Sequence, residues 1–298
     1  MSAPFLPPPS RALRRPSFLA VVGAATTLGI VLATAACTDS GKVSQDHARA
    51  HATEMAALVA TDVGELEKGL PEGAKRLRAL YEAGDPKQDL PAVRKALVKT
   101  RSGVHDLDVA KSTFFALADA EGVILRNDLE GDAMAGQDVV KAVPALAGAR
   151  TSPFVTGSGH VPGPPSKLGP DKDFVAASGI RGKDDATVGM LVTGWSYRYF
   201  ARHLEEMLKR TVRDEATGSG GKMPVVYVAV FDADGVYGSP LTPDVNQKAL
   251  ADLGLHGKTT SGPASGTITI TDRRFGWAAE RTPKMGDGVG VVVLRSEI

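Results

Sequence analysis

The sequence predicts an α+β fold, with an N-terminal helical region followed by two antiparallel-sheet units built on one plan. Three observations carry this. Met55, Leu58, Val59, Val63, Leu66 and Leu70 recur at spacings of 3, 1, 4, 3 and 4, the one-sided stripe of an amphipathic helix. From Ser112 onward, short apolar runs bounded by Asp, Gly and Pro replace the helical period and read as strands. The strand-rich part also repeats itself, which points to two units and not one large sheet.

Composition bounds the function. Of 298 residues, 43% are apolar and 23% charged, enough to bury a sizeable core. The single cysteine, Cys37, excludes an intrachain disulfide and a cysteine-built zinc site. With 35 Lys and Arg against 34 Asp and Glu, the formal charge is +1, too small for a broad nucleic-acid footprint.

At the N-terminus, Arg11, Arg14 and Arg15 precede an apolar run over residues 18–36, the pattern of an export signal. The run ends Leu32-Ala33-Thr34-Ala35-Ala36-Cys37. This resembles a bacterial lipoprotein signal, which implies that Cys37 becomes the lipidated first residue. Thr34 departs from that pattern, which carries Leu, Val or Ile at this place. Cleavage after Ala35 and an uncleaved anchor are the alternatives, since 19 residues lie within the ~17–25 that a spanning helix needs. The arginine pair also leaves twin-arginine export open. Removing the three arginines leaves 32 basic against 34 acidic residues, so the working part is faintly acidic.

The segments then read in order as a signal (1–36), a polar tether (37–45), a helical region (46–111), a first sheet unit with a connecting helix (112–217) and a second unit (222–298). In the helical region, Leu70-Pro71-Glu72-Gly73 ends the first helix, Leu77, Leu80 and Tyr81 begin another, and Asp89-Leu90-Pro91 caps a third. In the first unit, residues 113–118 and 123–126 are strands around the turn at 119–122. Residues 136–149 are helical, 157–172 form a Pro/Gly loop, and 173–179 and 187–195 are strands. A helix with Tyr197, Phe200, Leu204, Leu208 and Thr211 on one face leads to a linker at 218–221. The second unit predicts strands at 225–231, from 236, and at 266–271, 274–281 and 288–295, with a helix at 246–253.

The duplication rests on two anchors in the same order. Asp119-Ala120-Glu121-Gly122-Val123 matches Asp232-Ala233-Asp234-Gly235-Val236, and Phe174 and Phe275 each lie 15 residues before a glycine, Gly189 and Gly290. Turn to phenylalanine takes 55 residues in the first copy and 43 in the second, and the Pro/Gly loop absorbs the difference of 12.

A long helix followed by two such units resembles the double Cache family, extracytoplasmic sensory regions made of two PAS-like subdomains. The residues that carry the resemblance are the hairpins at 115–126 and 227–237 and the closing strand pairs at 174–195 and 275–295. It covers residues 43–298 and implies two PAS-like antiparallel sheets, with a ligand pocket between sheet and loops. Members of the family commonly continue through a second membrane helix into a kinase, cyclase or chemotaxis region. No such helix or region follows here, so the expectation is a module with no output domain of its own. Amino-acid-binding members place an aspartate on the last strand. The matching places hold Gly194 and Arg295, so amino-acid binding is not expected.

Candidate chemistry is sparse. His47, His51 and Glu54 follow one helix face without a third strong metal ligand, and read as solvated. His160 reads as an exposed loop residue, and Gly157-Ser158-Gly159 as a linker. Nothing supplies a nucleophile–base pair, so neither an enzyme nor a cofactor is expected. Trp195, Tyr197 and Tyr199, interleaved with Arg198, form the densest aromatic–basic cluster, and with Arg126 and Asp173 they make the expected ligand site. The function expected is a lipid-anchored extracytoplasmic sensor or small-molecule-binding module, held at the membrane by its anchor and free of nucleic acid. The alternative is an adaptor lipoprotein that binds another envelope protein, such as a signalling protein.

Overall fold

The computed structural model describes residues 40–110, 112–161, 171–219 and 221–297. The segment expected to be an export signal, and Cys37, lie outside the described residues. The rest forms one compact unit with an α+β fold, a helical region followed by two five-stranded antiparallel PAS-like sheets.

Helix α1 spans Ser40–Ala83, 44 residues and roughly 66 Å at 1.5 Å per residue. It starts inside the segment expected to be a tether and runs straight through Pro71, where a helix end was expected. A proline removes one N–H and crowds the carbonyl four residues earlier, here Glu67. The packing outweighs that cost, because Leu66, Leu70, Ala74 and Leu77 keep the stripe continuous and all are buried. Helices α2 (Leu90–Gly103) and α3 (His105–Val109) pack beside α1.

The first sheet comprises β1 (Phe114–Asp119), β2 (Ile124–Asn127), β3 (Val155–Gly159), β4 (Asp173–Arg181) and β5 (Thr187–Ser196), with α4 (Val139–Ala142) inserted between β2 and β3. Helix α5 (Tyr197–Ser219) leads into β6 (Val225–Phe231), β7 (Val236–Gly238), α6 (Asp244–Ala251), α7 (Leu255–Lys258), β8 (Ala264–Ile270), β9 (Arg273–Arg281) and β10 (Gly290–Ser296). The strand orders are β2-β1-β5-β4-β3 and β7-β6-β10-β9-β8, the same topology twice.

Register agrees at the closing strands. Val175 pairs with Gly194 and Gly276 with Arg295, the same offset in both copies. The first hairpins differ by one residue, since Asp119 pairs with Gly189 while Phe231, not Asp232, pairs with Gly290. The turns explain this. The Asp119 N–H reaches the Val123 carbonyl, whereas the Asp232 N–H reaches Gly235, one residue sooner.

Residues 157–159 of β3 fall in the segment expected to be loop. The strand, Val-Thr-Gly-Ser-Gly, lacks apolar alternation and is an edge strand on β4. Its glycines serve close approach, because a Cβ at Gly159 would run into the Ala142 carbonyl.

Lys172 joins the two units. Its ammonium lies 2.6 Å from both Asp232 and Asp234. Burial works against the charge, but the hydrogen bonds to both carboxylates outweigh it and raise the Lys172 pKa well above the ordinary value. Asp232 is buried, so Lys172→Met strands its carboxylate. The expected loss is about 1–3 kcal/mol by urea denaturation, below the usual cost of breaking a buried pair because Asp232 keeps the N–H groups of Asp234 and Gly235. Adding Asp232→Asn should recover part of it.

Candidate functional site

Each sheet is covered on both faces. Along β1, Phe115 and Leu117 join the central core under α1 and α5, while Phe114, Ala116 and Ala118 point the other way, as strand pleating requires. There they pack with Met190 and Val192 against Val139, Val143 and Leu146. In the second unit Val291 and Val293 face the central core, and Val292 and Leu294 pack with Trp277, Leu250 and Leu255 on the outer side. These side chains give each sheet a packed apolar outer face.

An open groove of about 1020 Å³ lies elsewhere, between α2 and the segment that follows β2. Asp89 caps α2 by accepting the Ala92 N–H at 3.0 Å, and Pro91 sits in its first turn. The helix buries Val93, Leu97 and Thr100 and leaves Leu90, Lys95, Val98 and Lys99 exposed. The opposite wall holds Arg126, Glu130, Asp132 and Ala135.

Three arginines fasten that wall. Arg126 lies 3.0 Å from Asp132 and donates to the Leu129 and Glu130 carbonyls at 3.0 and 3.2 Å. Arg101 meets Asp128 at 2.5 Å and donates to the Ser112 carbonyl. Arg94 donates to the Asp128 carbonyl at 3.3 Å and lies 3.6 Å from Glu130. Lys95 and Lys99 have no ion-pair partner among the described residues. A smaller cleft of about 200 Å³, lined by Lys75, Arg78 and Arg181, lies between α1 and β4.

The expected site does not come together as one pocket. Arg126 is on β2 and Asp173 on β4, with β1 and β5 between them. Trp195 is 1% exposed and wedged between Phe174 and Phe200, ring centroids 4.9 and 4.6 Å away. Tyr197 is buried edge-on to Tyr237 at 5.2 Å, and burial pushes its phenol up to about 12. Tyr199, two residues on, is 59% exposed. Only Arg126 lines the groove. Lys95 and Lys99 were missed, although the α2 sequence carries four basic residues and no acid, a signal that could have found them.

His51 is also corrected, being buried and not solvated. Arg295 donates to its Nε2 at 2.5 Å, and Arg295 in turn lies 3.2 Å from Glu215 and 2.8 Å from Glu297. Glu54 approaches Nδ1 at 3.4 Å, and His47 meets Glu297 at 2.9 Å. This network ties α1, the end of α5 and β10 together. Burial first, and Arg295 second, lower the His51 pKa below 6.5 against the pull of Glu215 and Glu54. The folded state therefore binds fewer protons there than the unfolded chain, and stability is lost as pH falls below about 6.5.

Asp173 acts in the opposite sense. Burial raises its pKa from 3.8 to about 6, with the Val161 N–H opposing and Asp171 adding, so it contributes stability as pH falls from about 6 towards 3.8. Melting temperatures between pH 7 and pH 5 should fall less steeply in His51→Gln than in the parent, and more steeply in Asp173→Asn.

No family model and no curated protein matches the sequence. Among solved structures, the chain is similar to a domain of a sensory box/GGDEF family protein from Vibrio parahaemolyticus, at 9% identity, 87% of this chain, 98% of that one and TM-score 0.55. A methyl-accepting chemotaxis protein X matches at 14% identity over 86% of this chain and 98% of that one, TM-score 0.50. An extracellular ligand-binding receptor from Desulfohalobium retbaense matches at 12% identity and TM-score 0.49, over 83% of this chain, which spans 39% of the receptor's length. At these identities the likeness is one of fold. No helix among the described residues is long and apolar enough to cross a membrane.

Proposed function

We propose that this chain is a lipid-anchored extracytoplasmic sensor module that binds a small molecule, without catalytic activity. The observation that carries this reading is the open groove at Arg126, about 1020 Å³, near the upper end of the ~300–1000 Å³ typical of ligand sites. A fold shared with a sensory box protein and a chemotaxis protein is consistent with it. The lipid would be attached at Cys37, which rests on the small-residue run before that cysteine.

A thermal-shift screen of the full-length protein against metabolites tests this. A ligand that binds only the folded state raises the melting temperature by mass action. Ala135→Trp, at an exposed position on the groove wall, should abolish the shift. A blank across a broad library overturns the sensor reading in favour of a second one, an adaptor that binds another envelope protein. One observation favours that adaptor, namely the apolar packing that occupies the outer face of both sheets.

A further inference from the structure

We infer that the groove between α2 and the β2 wall docks an acidic, amphipathic segment of a protein partner. This rests on the adaptor reading and names the kind of chain that the surface fits.

Charge is the first ground. Helix α2 carries Arg94, Lys95, Lys99 and Arg101 and no acidic residue. Both arginines, with Arg126, are engaged in fastening the opposite wall. Lys95 and Lys99 remain exposed one helical turn apart, a pair of ammonium groups on one side of the groove.

Apolar surface is the second. Leu90 and Val98 are 38% and 48% exposed, and both line the groove. Apolar side chains beside unpaired cations suit a segment that alternates acids with aliphatic residues.

Shape is the third. The lining residues on α2 run from Leu90 to Ser102, roughly 18 Å at 1.5 Å per residue. That matches about five extended residues at ~3.3 Å each, or about three helical turns. The far-wall carboxylates are matched within the groove, Glu130 lying 3.6 Å from Arg94 and Asp132 3.0 Å from Arg126, which leaves the two ammonium groups as its unpaired charge.

The test measures fluorescence anisotropy of a labelled peptide of alternating glutamate and leucine, added to the full-length protein. A peptide with lysine in place of glutamate is the control. The glutamate peptide should bind, more weakly as salt rises, and the control should not. The double change Lys95→Glu and Lys99→Glu should weaken binding at least about tenfold, and Val98→Asp should weaken it too. All three positions are exposed, so the variants should melt like the parent.

Equal binding of the two peptides, or unchanged affinity in the charge-reversed variant, overturns the inference. So does displacement of the peptide by free glutarate at comparable affinity, which marks a small-molecule site. Lysine-dependent sedimentation with phosphatidylglycerol vesicles, without peptide binding, overturns it in favour of a membrane surface. Failure of the adaptor reading itself shows separately, as a metabolite hit in the thermal-shift screen that Ala135→Trp abolishes.

Discussion

Truncating Trp195 to alanine is expected to lower the free energy of unfolding by about 3–5 kcal/mol. The indole is 1% exposed and fills the junction where β5 turns into α5, touching Phe174 on β4 and Phe200 on α5. Its removal leaves a cavity that three rigid elements cannot close. Trp195→Phe should cost less, because it keeps an aromatic ring and removes an indole N–H that meets no acceptor among the described residues. Urea titrations of both variants check this. A loss under about 1 kcal/mol for the alanine variant, together with a change in ligand response, would return Trp195 to the binding site expected from sequence.

Gly276→Ala should be nearly as damaging, at about 3 kcal/mol, the upper part of the overpacking range. The N-terminal turns of α1 cross β9 at Gly276, and a Cβ there would run into the backbone of Ser44 and Gln45. Side chains can rotate away from a new methyl group, whereas a helix backbone must lift off the sheet. The expected signature beyond the lost stability is faster hydrogen exchange over residues 44–52. Gly257→Ala provides the contrast, because nothing lies within 4 Å of a Cβ at that site and stability should hold within about 0.5 kcal/mol.

The parts of the fold legible in the sequence were those where local pattern and tertiary packing agree. Phe114–Asp119 and Val225–Phe231 are apolar on both faces because both faces are covered, and such runs read as strands without knowledge of what covers them. The duplicated plan was legible because Phe174 and Phe275 each precede the residue, Val175 or Gly276, that holds the same register position on the closing strands. Pro71 misled because a local helix breaker was outweighed by a stripe buried against both sheets. Strand β3 was hidden because its glycines answer to a neighbouring turn and not to β propensity.

The candidate site was less legible, for a different reason. Aromatic clustering marked Trp195 and Tyr197, but a dense aromatic patch is also what holds a helix against a sheet, and here it does. Arg126 lines the groove, with its guanidinium committed to the wall. Lys95 and Lys99 stand in an acid-free run of four basic residues, but nothing in that run shows that Arg94 and Arg101 are engaged with the far wall and leave the two lysines unpaired. His51 was read as solvated because its cover, Arg295 and Glu215, lies far along the chain.

The central claim is that recognition occurs in the groove along α2 and not inside either sheet unit. Hydrogen exchange of the full-length protein, with and without the glutamate–leucine peptide, tests it most directly. The account predicts slowed exchange over residues 90–102 and 126–135 on binding, with residues 139–150 and 244–258 unchanged. Protection confined to those latter segments, which cover the outer faces of the two sheets, would contradict it.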